Sequence, residues 1–563
     1  MSAGALSPAV DVAGAAHVAS GEFDVVVVGG GIVGAGAALD AATRGLSVAL
    51  LEAQDFASGS SSRSSKLIHG GLRYLQMHDF ALVREALSER AVLVRIAPHL
   101  VRPLPILFPL RRAVVERAYV GAGVGLYDLF ARATPRGRDG AHAFPRHRQL
   151  SRRSTRALAP ALAPEGLAGA IRFYDAQVDD ARYVVSVVRT AVAHGAVALS
   201  RTAVTDLVRE NGRVVGVRAR RVETGETFEV RARAVVSATG VWSARLLGHS
   251  GAAPAVQPSK GVHLVIPGAR LESQCALILP TERSVLFVLP FGAHWIVGTT
   301  DTPWSHDLAR PAATAGDVDY LLAHLNAVLS DKLTRADVQA VYAGLRPLIA
   351  TGAAETTKLS REHAVSRPAP GLVVVSGGKY TTYRVMARDA IDAALNAGGL
   401  AAAPCRTDTV TILGGRDAGT TQSPPVGIDP GELERLFARY GTLTPEVLAP
   451  AADNPDLLAP VGGYLAAEVV YAVTHEGARH LDDVLERRTH LALETPGRGA
   501  DVAEVVAAVM APLLGWDAAT SAAEVDAYRA QLGAARAAEE TAEDAAAAAV
   551  LAAAPPRLAA PPA

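Results

Sequence analysis

Residues 24–52 read DVVVVGGGIVGAGAALDAATRGLSVALLE, and the order of features in this stretch decides the fold. Residues 24–28 are a short β-branched run, the pattern of a buried parallel strand. Gly29, Gly31 and Gly34 supply G-x-G-x-x-G, and residues 32–44 have the Ala-rich apolar spacing of a helix packed on a sheet. Residues 47–51 form a second strand that delivers Glu52 at its C-terminal end. Each part has a chemical task. The glycines permit a tight turn, close approach of the backbone to a pyrophosphate and close helix–strand contact. The helix N-terminus stabilises phosphate charge, and Glu52 accepts hydrogen bonds from a ribose diol. A glycine-rich turn alone is common, but strand, glycines, helix, strand and acid in this order mark a dinucleotide site.

Working outward, 563 residues suffice for two or three domains. Half the residues are hydrophobic and the mean hydropathy is +0.20, but much of this is Ala. No run approaches the roughly 18 apolar residues of a transmembrane helix. Lys plus Arg number 55 against 56 Asp plus Glu, a balance that argues against nucleic acid as a partner. Cys275 and Cys405 make no disulfide framework, which suits a reducing compartment. Residues 1–21 lack a basic n-region and carry Pro8 and Asp11, so a disordered extension is expected rather than a signal peptide.

After Glu52 comes the densest polar cluster of the chain: Ser58, Ser60, Ser61, Ser62, Arg63, Ser64, Ser65 and Lys66, then His69-Gly70-Gly71-Leu72-Arg73-Tyr74. Hydroxyls, a glycine pair and cations in so short a span suit an anionic ligand lying across a loop, and Ser64, Ser65, His69, Gly70 and Gly71 are expected to contact the cofactor. Residues 80–97 read as an amphipathic helix. Between Arg111 and Arg156 a strongly basic segment encloses the apolar patch AYVGAGVGLYDLF, which fits either an anionic membrane surface or a solvated face over buried aromatics.

Residues 196–204 and the alternating GRVVGVRARRVETGETFEV read as a β-meander leading to AVVSATG, residues 234–240. The small residues at that strand end let the backbone approach a ligand, so Ala238 and Gly240 join Val204 of the meander as expected cofactor contacts. Residues 371–375 are a third short apolar strand, followed by Ser376-Gly377-Gly378-Lys379-Tyr380-Thr381-Thr382 and a helix over 383–396. This repeats the opening logic, and a helix N-terminus there would stabilise the negative charge that gathers on a reduced flavin ring. Gly377, Gly378, Lys379, Thr381 and Thr382 are therefore expected around the cofactor. Residues 401–427 read as a linker, 428–533 as mostly helical, and 534–563 as a low-complexity tail that is disordered beyond Pro555. His475 and His480 in THEGARH invite a zinc-protease reading, but they are five apart rather than four, so on a helix they would diverge and no metal site is expected.

With these pieces placed, the chain resembles the FAD-dependent glycerol-3-phosphate dehydrogenases, the quinone-linked respiratory enzymes. The resemblance is carried by residues 24–75, YDAQVDDAR (174–182), AVVSATGVW, KGVHLVIP, VGTTDT, YAGLRPL, SGGKYTTYR and HEGARHLDDVLERRT, and runs from about residue 23 to 530. It implies a Rossmann-like α/β FAD-binding domain (22–100, 165–245 and 361–400), an inserted mixed α+β substrate domain (101–164 and 246–360) and a helical C-terminal domain. It also implies oxidation of sn-glycerol 3-phosphate to dihydroxyacetone phosphate, with Arg73, Tyr74 and Lys379 at the phosphate and His263, Arg346 and Arg361 around the reacting carbon. An Arg beside the hydroxyl stabilises a developing alkoxide, and His is the side chain best tuned to take its proton near neutral pH.

Three other readings stand beside this one: an oxidase using oxygen, an amino-acid or hydroxycarboxylate oxidase of the same fold, and a flavin-binding scaffold without turnover. The several cations speak against the second, and intact Arg73, His263, Arg346 and Lys379 against the third. A quinone acceptor would place the protein peripherally on the cytoplasmic face of the cell membrane, docked through residues 111–138; a homodimer is left open.

Overall fold

The computed structural model describes residues 3–76, 79–112, 114–134, 144–244, 255–282, 285–350, 362–415 and 428–555. Strand Glu22–Val28 lies inside an 8-stranded sheet, parallel to Val48–Leu51 on one side and Thr227–Ser237 on the other. Val197–Leu199 and Leu372–Gly377 extend the parallel order outward. Period-2 alternation gives the sheet two buried faces. Val25, Val27, Leu50 and Val236 pack against helices Ile32–Thr43, Asp180–Ala193 and Tyr383–Gly398, while Val26, Val28, Ala49 and Val235 pack beneath the meander. Gly29, Glu52, Ala238 and Gly378 leave the C-terminal ends of these strands along one edge, where open parallel sheets bind ligands.

A second, 10-stranded sheet carries the inserted domain. Val101–Leu110 pairs antiparallel with Gly169–Val178 over its whole length, and Val256–Pro267 pairs with Ala340–Ile349. Gly169–Val178 and the short strand Leu67–Ile68 thus belong to this sheet, although the sequence division placed both in the FAD-binding part. Leu67, Ile171 and Phe173 face the substrate-domain core, while Ile68, Ala176 and Val178 join the core of the first sheet, a double partnership that no local pattern announces.

The helical C-terminal domain is fastened to the sheet domain by buried ion pairs. Asp55 receives Arg487 at 2.6 Å and Arg488 at 2.7 Å, and Arg182 meets Glu476 at 2.7 Å. Deleting one partner of such a fully buried pair strands a charge in the interior and costs roughly 3–5 kcal/mol.

Several expectations are corrected. Residues 8–20 form a helix rather than a disordered extension, capped by Ser7 and held by Asp11 against Arg221 and Arg479, with Val18 buried on the sheet. His475 and His480 do not share a helix, because Ala466–Thr474 ends before them; His480 bridges Glu223 and Glu524 across the domain seam. The low-complexity tail carries the end of helix Ala518–Glu539 and the helix Asp544–Ala553, and residues 556–563, where disorder is expected, lie outside the described residues. The described part of the expected linker, 401–415, carries no helix or strand and packs through buried Ile412.

Candidate active site

A cavity of about 1130 Å³ runs along the strand ends between the two sheets. One end is made of backbone. Gly29 has φ +104°, and a methyl on it would lie 2.7 Å from the Ala238 carbonyl oxygen. A methyl on Gly34 would sit 1.8 Å from the Gly29 carbonyl oxygen, so the helix can begin this close to the turn only with glycine there. Gly31 caps the helix, and the Ile32 amide donates to Ser61 Oγ at 3.0 Å. Glu52 accepts from the Gly30 amide at 2.6 Å and the Gln54 amide at 2.7 Å, while burial pushes its carboxyl above the usual range. Val204, Ala238 and Gly240 line the same end.

The polar loop crosses from this end to the other. Ser64 donates to Asp180 through its amide at 3.0 Å and its hydroxyl at 2.7 Å, and buried Lys66 pairs with the same carboxylate. Ser64 braces the loop and, like Ser65, borders the cavity, and the hydroxyl of Ser65 meets His263. His69 and Gly71 line the cavity, whereas the Gly70 amide turns to Tyr127 and Asp175. Opposite them, Gly377 (φ +73°) and Gly378 (φ +82°) form the turn into the helix Tyr383–Gly398. Thr381 Oγ1 accepts from the His69 amide at 3.2 Å and ties that turn to the loop. Thr382 and Gly34 do not border the cavity.

The far end is built from side chains on two paired strands. Their register sets Ser259 opposite Arg346, Gly261 opposite Gly344 and His263 opposite Tyr342. Alternation brings all six to one face. The His263 ring stacks on Tyr342 with centroids 4.7 Å apart, and its Nε2 lies 2.8 Å from Ser65 Oγ. Gly261 leaves a trough for the guanidinium, since a methyl on it would lie 2.6 Å from Arg346 Nη2, while Gly344 opposite makes room for the Arg63 backbone. Arg346 donates to Thr299 Oγ1 at 3.2 Å and the Thr300 carbonyl at 3.1 Å, with Asp301 at 3.5 Å. Burial, then Arg346 and Lys66, hold the His263 imidazole well below its usual pKa, so the ring is neutral. Its Nδ1 has no hydrogen-bond partner among the described residues. Lys379 Nζ lies 3.7 Å from the centre of the Tyr74 ring, and both residues border the cavity.

The cavity thus brings together Tyr74, His263, Arg346 and Lys379 with most of the expected cofactor contacts. Arg73 lies on the short helix Leu72–Gln76, its side chain outside the description, and Arg361 lies outside the described residues. Sequence reasoning missed Tyr342, the Thr299–Asp301 brace and the Lys66–Asp180 pair. Each was inside a quoted motif, but only strand pairing reveals whom it serves.

Comparison with known proteins agrees with this architecture. The family model described as FAD dependent oxidoreductase matches residues 24–393, and the C-terminal domain of alpha-glycerophosphate oxidase matches residues 405–521. The chain belongs to the FAD-dependent oxidoreductases. It is 51% identical over 544 residues to glycerol-3-phosphate dehydrogenase 2 of Mycobacterium tuberculosis, covering 94% of this chain and 92% of the relative. It is 37% identical over 527 residues to the human mitochondrial glycerol-3-phosphate dehydrogenase, covering 88% of this chain and 71% of that protein. The crystal structure of the Bacillus halodurans glycerol-3-phosphate dehydrogenase complexed with FAD superposes with a TM-score of 0.76 at 30% identity, over 93% of this chain and 97% of that one. Within its class, then, the chain is a member of the FAD-dependent glycerol-3-phosphate dehydrogenase family.

The residues present fit FAD. The Gly29–Gly34 turn clears a path for a pyrophosphate, Glu52 stands where a ribose diol would reach it, and the Gly377-Gly378 turn opens a helix towards the cavity.

Proposed function

We propose that this protein oxidises sn-glycerol 3-phosphate to dihydroxyacetone phosphate and passes the electrons to a membrane quinone. One observation carries the reading: His263, Arg346, Lys379 and Tyr74 border the same cavity as both glycine turns. FAD, when bound, accepts the hydride that leaves C2. The neutral His263 takes the proton of the C2 hydroxyl, so hydride and proton depart together and a carbonyl forms. Arg346, braced by Thr299 and Thr300, stabilises the oxygen as negative charge develops on it. Lys379, steadied over the Tyr74 ring, meets the phosphate dianion, with Arg73 beside Tyr74 in the chain, and Arg361 is assigned with His263 and Arg346 to the reacting carbon. Phe108, Phe173 and Phe287 wall the cavity, and their apolar surface strengthens each of these charge interactions.

The acceptor reading rests on one surface. No described helix is long and apolar enough to cross a membrane. The helix Val115–Arg132 and its approach expose Val114 at 77%, Val115 at 70%, and Tyr119 and Leu129 at 63% each, beside exposed Arg111 and Arg112. Val124 and Tyr127, expected on the lipid-facing side, instead point inward, and Arg117 donates to the Leu150 and Ala168 carbonyls. The remaining apolar and cationic side chains suit insertion at an anionic headgroup surface. Changing Arg111, Arg112, Tyr119 and Leu129 together to Glu should abolish salt-sensitive sedimentation with anionic liposomes and quinone reduction, while reduction of a soluble dye persists. If both proteins partition alike, the membrane reading is wrong and oxygen becomes the favoured acceptor.

A further inference from the structure

The C-terminal-domain family model ends at residue 521, but the chain continues through helices Ala518–Glu539 and Asp544–Ala553 to the rim of the cavity. The second helix is a ten-residue run rich in Ala, too short to hold its shape in water without docking. Its docking is specific. Asp544 pairs with Lys260, a fully buried cation that also binds Asp317 at 2.6 Å. At the other end Arg310 donates to the Leu551 carbonyl at 2.6 Å, a cation placed on the last turn where the helix dipole favours it. Ala547 and Leu551 pack with Val241, Trp304 and Leu345, and Ala552 and Ala554 line the cavity itself.

The place of contact identifies what the helix covers. Its neighbours Val241 and Trp242 follow the strand end whose Ala238 abuts Gly29, and Gly59 lies against the Trp242 ring. Ser60, on the same loop, donates to the Leu345 carbonyl at 2.5 Å. The helix thus reaches from the dinucleotide side of the cavity, at Trp242 and the 58–60 loop, to the back of the paired strands at Lys260 and Leu345.

We propose that the Asp544–Ala553 helix is a clasp on the cofactor site, closing the wall beside Trp242 and slowing release of bound FAD. The small Ala side chains let the helix lie against the rim, and its two polar anchors hold it there. The clasp is a property of this chain's own tail and does not depend on the substrate.

The test compares the full-length holoenzyme with a variant ending at Glu540 and with Asp544→Asn and Leu551→Ser, following FAD release after dilution by the rise in flavin fluorescence. Asp544→Asn leaves Lys260 its Asp317 partner, so no buried charge is abandoned. The truncation should release FAD about tenfold faster or more, equivalent to a tenfold weaker site. Each point variant should do so several-fold, while flavin reduction at saturating FAD is unchanged. Unchanged release from variants with unaltered melting overturns the clasp. So does unchanged release with slower reduction by glycerol 3-phosphate, which would assign the helix to substrate traffic. Should the truncated protein not fold, the point variants decide in the same way.

Discussion

Both ends of the cavity depend on glycine, for opposite reasons. At the dinucleotide end Gly34 admits another backbone: a methyl there would lie 1.8 Å from a carbonyl oxygen that cannot move without breaking the turn. At the substrate end Gly261 admits a side chain: the nearest atoms to a methyl on it are Arg346 Nη2 and Thr299 Oγ1, each at 2.6 Å, whereas its partner Gly344 makes room for the Arg63 backbone. Backbone cannot yield, whereas a guanidinium can swing away. On this reading Gly34 guards the fold and its cofactor turn, and Gly261 guards the aim of the cation proposed to act on the substrate.

The comparison breaks if both substitutions behave alike. Gly34→Ala should give the largest effect, insoluble or FAD-free protein, since overpacking against backbone costs roughly 1–3 kcal/mol or more. FAD content and thermal melting read it directly. Gly261→Ala should leave melting and FAD content close to wild type. It should still slow flavin reduction by about 10²-fold, the scale expected when a catalytic group is misplaced by about 1 Å. A Gly261→Ala protein that reduces its flavin at the wild-type rate would show that Arg346 does not need the trough.

The same contrast explains what was legible in the sequence. The dinucleotide end is written in consecutive residues, so strand, turn, helix and Glu52 could be read in order, and SGGKYTT repeats the logic. The substrate end is written by strand pairing. His263 and Arg346 are single residues on separate strands, and their roles came from the family resemblance, while Tyr342 and the glycine pair were invisible until register set them opposite. The strand Val101–Leu110 was not assigned from the sequence. Pro103, Pro105 and Pro109 speak against a ladder strand, but they share one parity, so their missing N–H groups fall along one edge and the pairing with Gly169–Val178 survives. The N-terminal segment was misjudged, and the docked helix of the C-terminal tail was not foreseen, because Ala-rich composition says little about docking. In each case tertiary contacts, Asp11 with Arg221 and Asp544 with Lys260, supply the order.

The smallest expected effect sharpens the comparison by touching neither glycine set. His480 sits between Glu223 and Glu524 in the domain seam; burial opposes its charge, but the two carboxylates prevail and raise its pKa to about 9. Because the folded value lies above the ordinary 6.5, the stabilisation is fully present below pH 6.5 and is lost as pH rises through 9. His480→Gln should therefore cost on the order of 1 kcal/mol in acid and almost nothing above that range, with flavin reduction unaffected. Melting curves of the two proteins across pH check this, and a constant difference would remove His480 from the seam's charge balance.

The central claim, that one cavity joins FAD to a base poised for glycerol 3-phosphate, is tested most directly by flavin absorbance under anaerobic conditions. Glycerol 3-phosphate added to the purified holoenzyme should bleach the flavin with formation of dihydroxyacetone phosphate. His263→Ala, loaded with FAD to the same extent, should bleach about 10²-fold more slowly or less. Because burial and Arg346 keep His263 neutral, the wild-type rate should hold as pH falls through 6.5 and drop only well below it. Absence of bleaching in FAD-loaded wild type would contradict the substrate assignment, and equal rates in the two proteins would contradict His263 as the base.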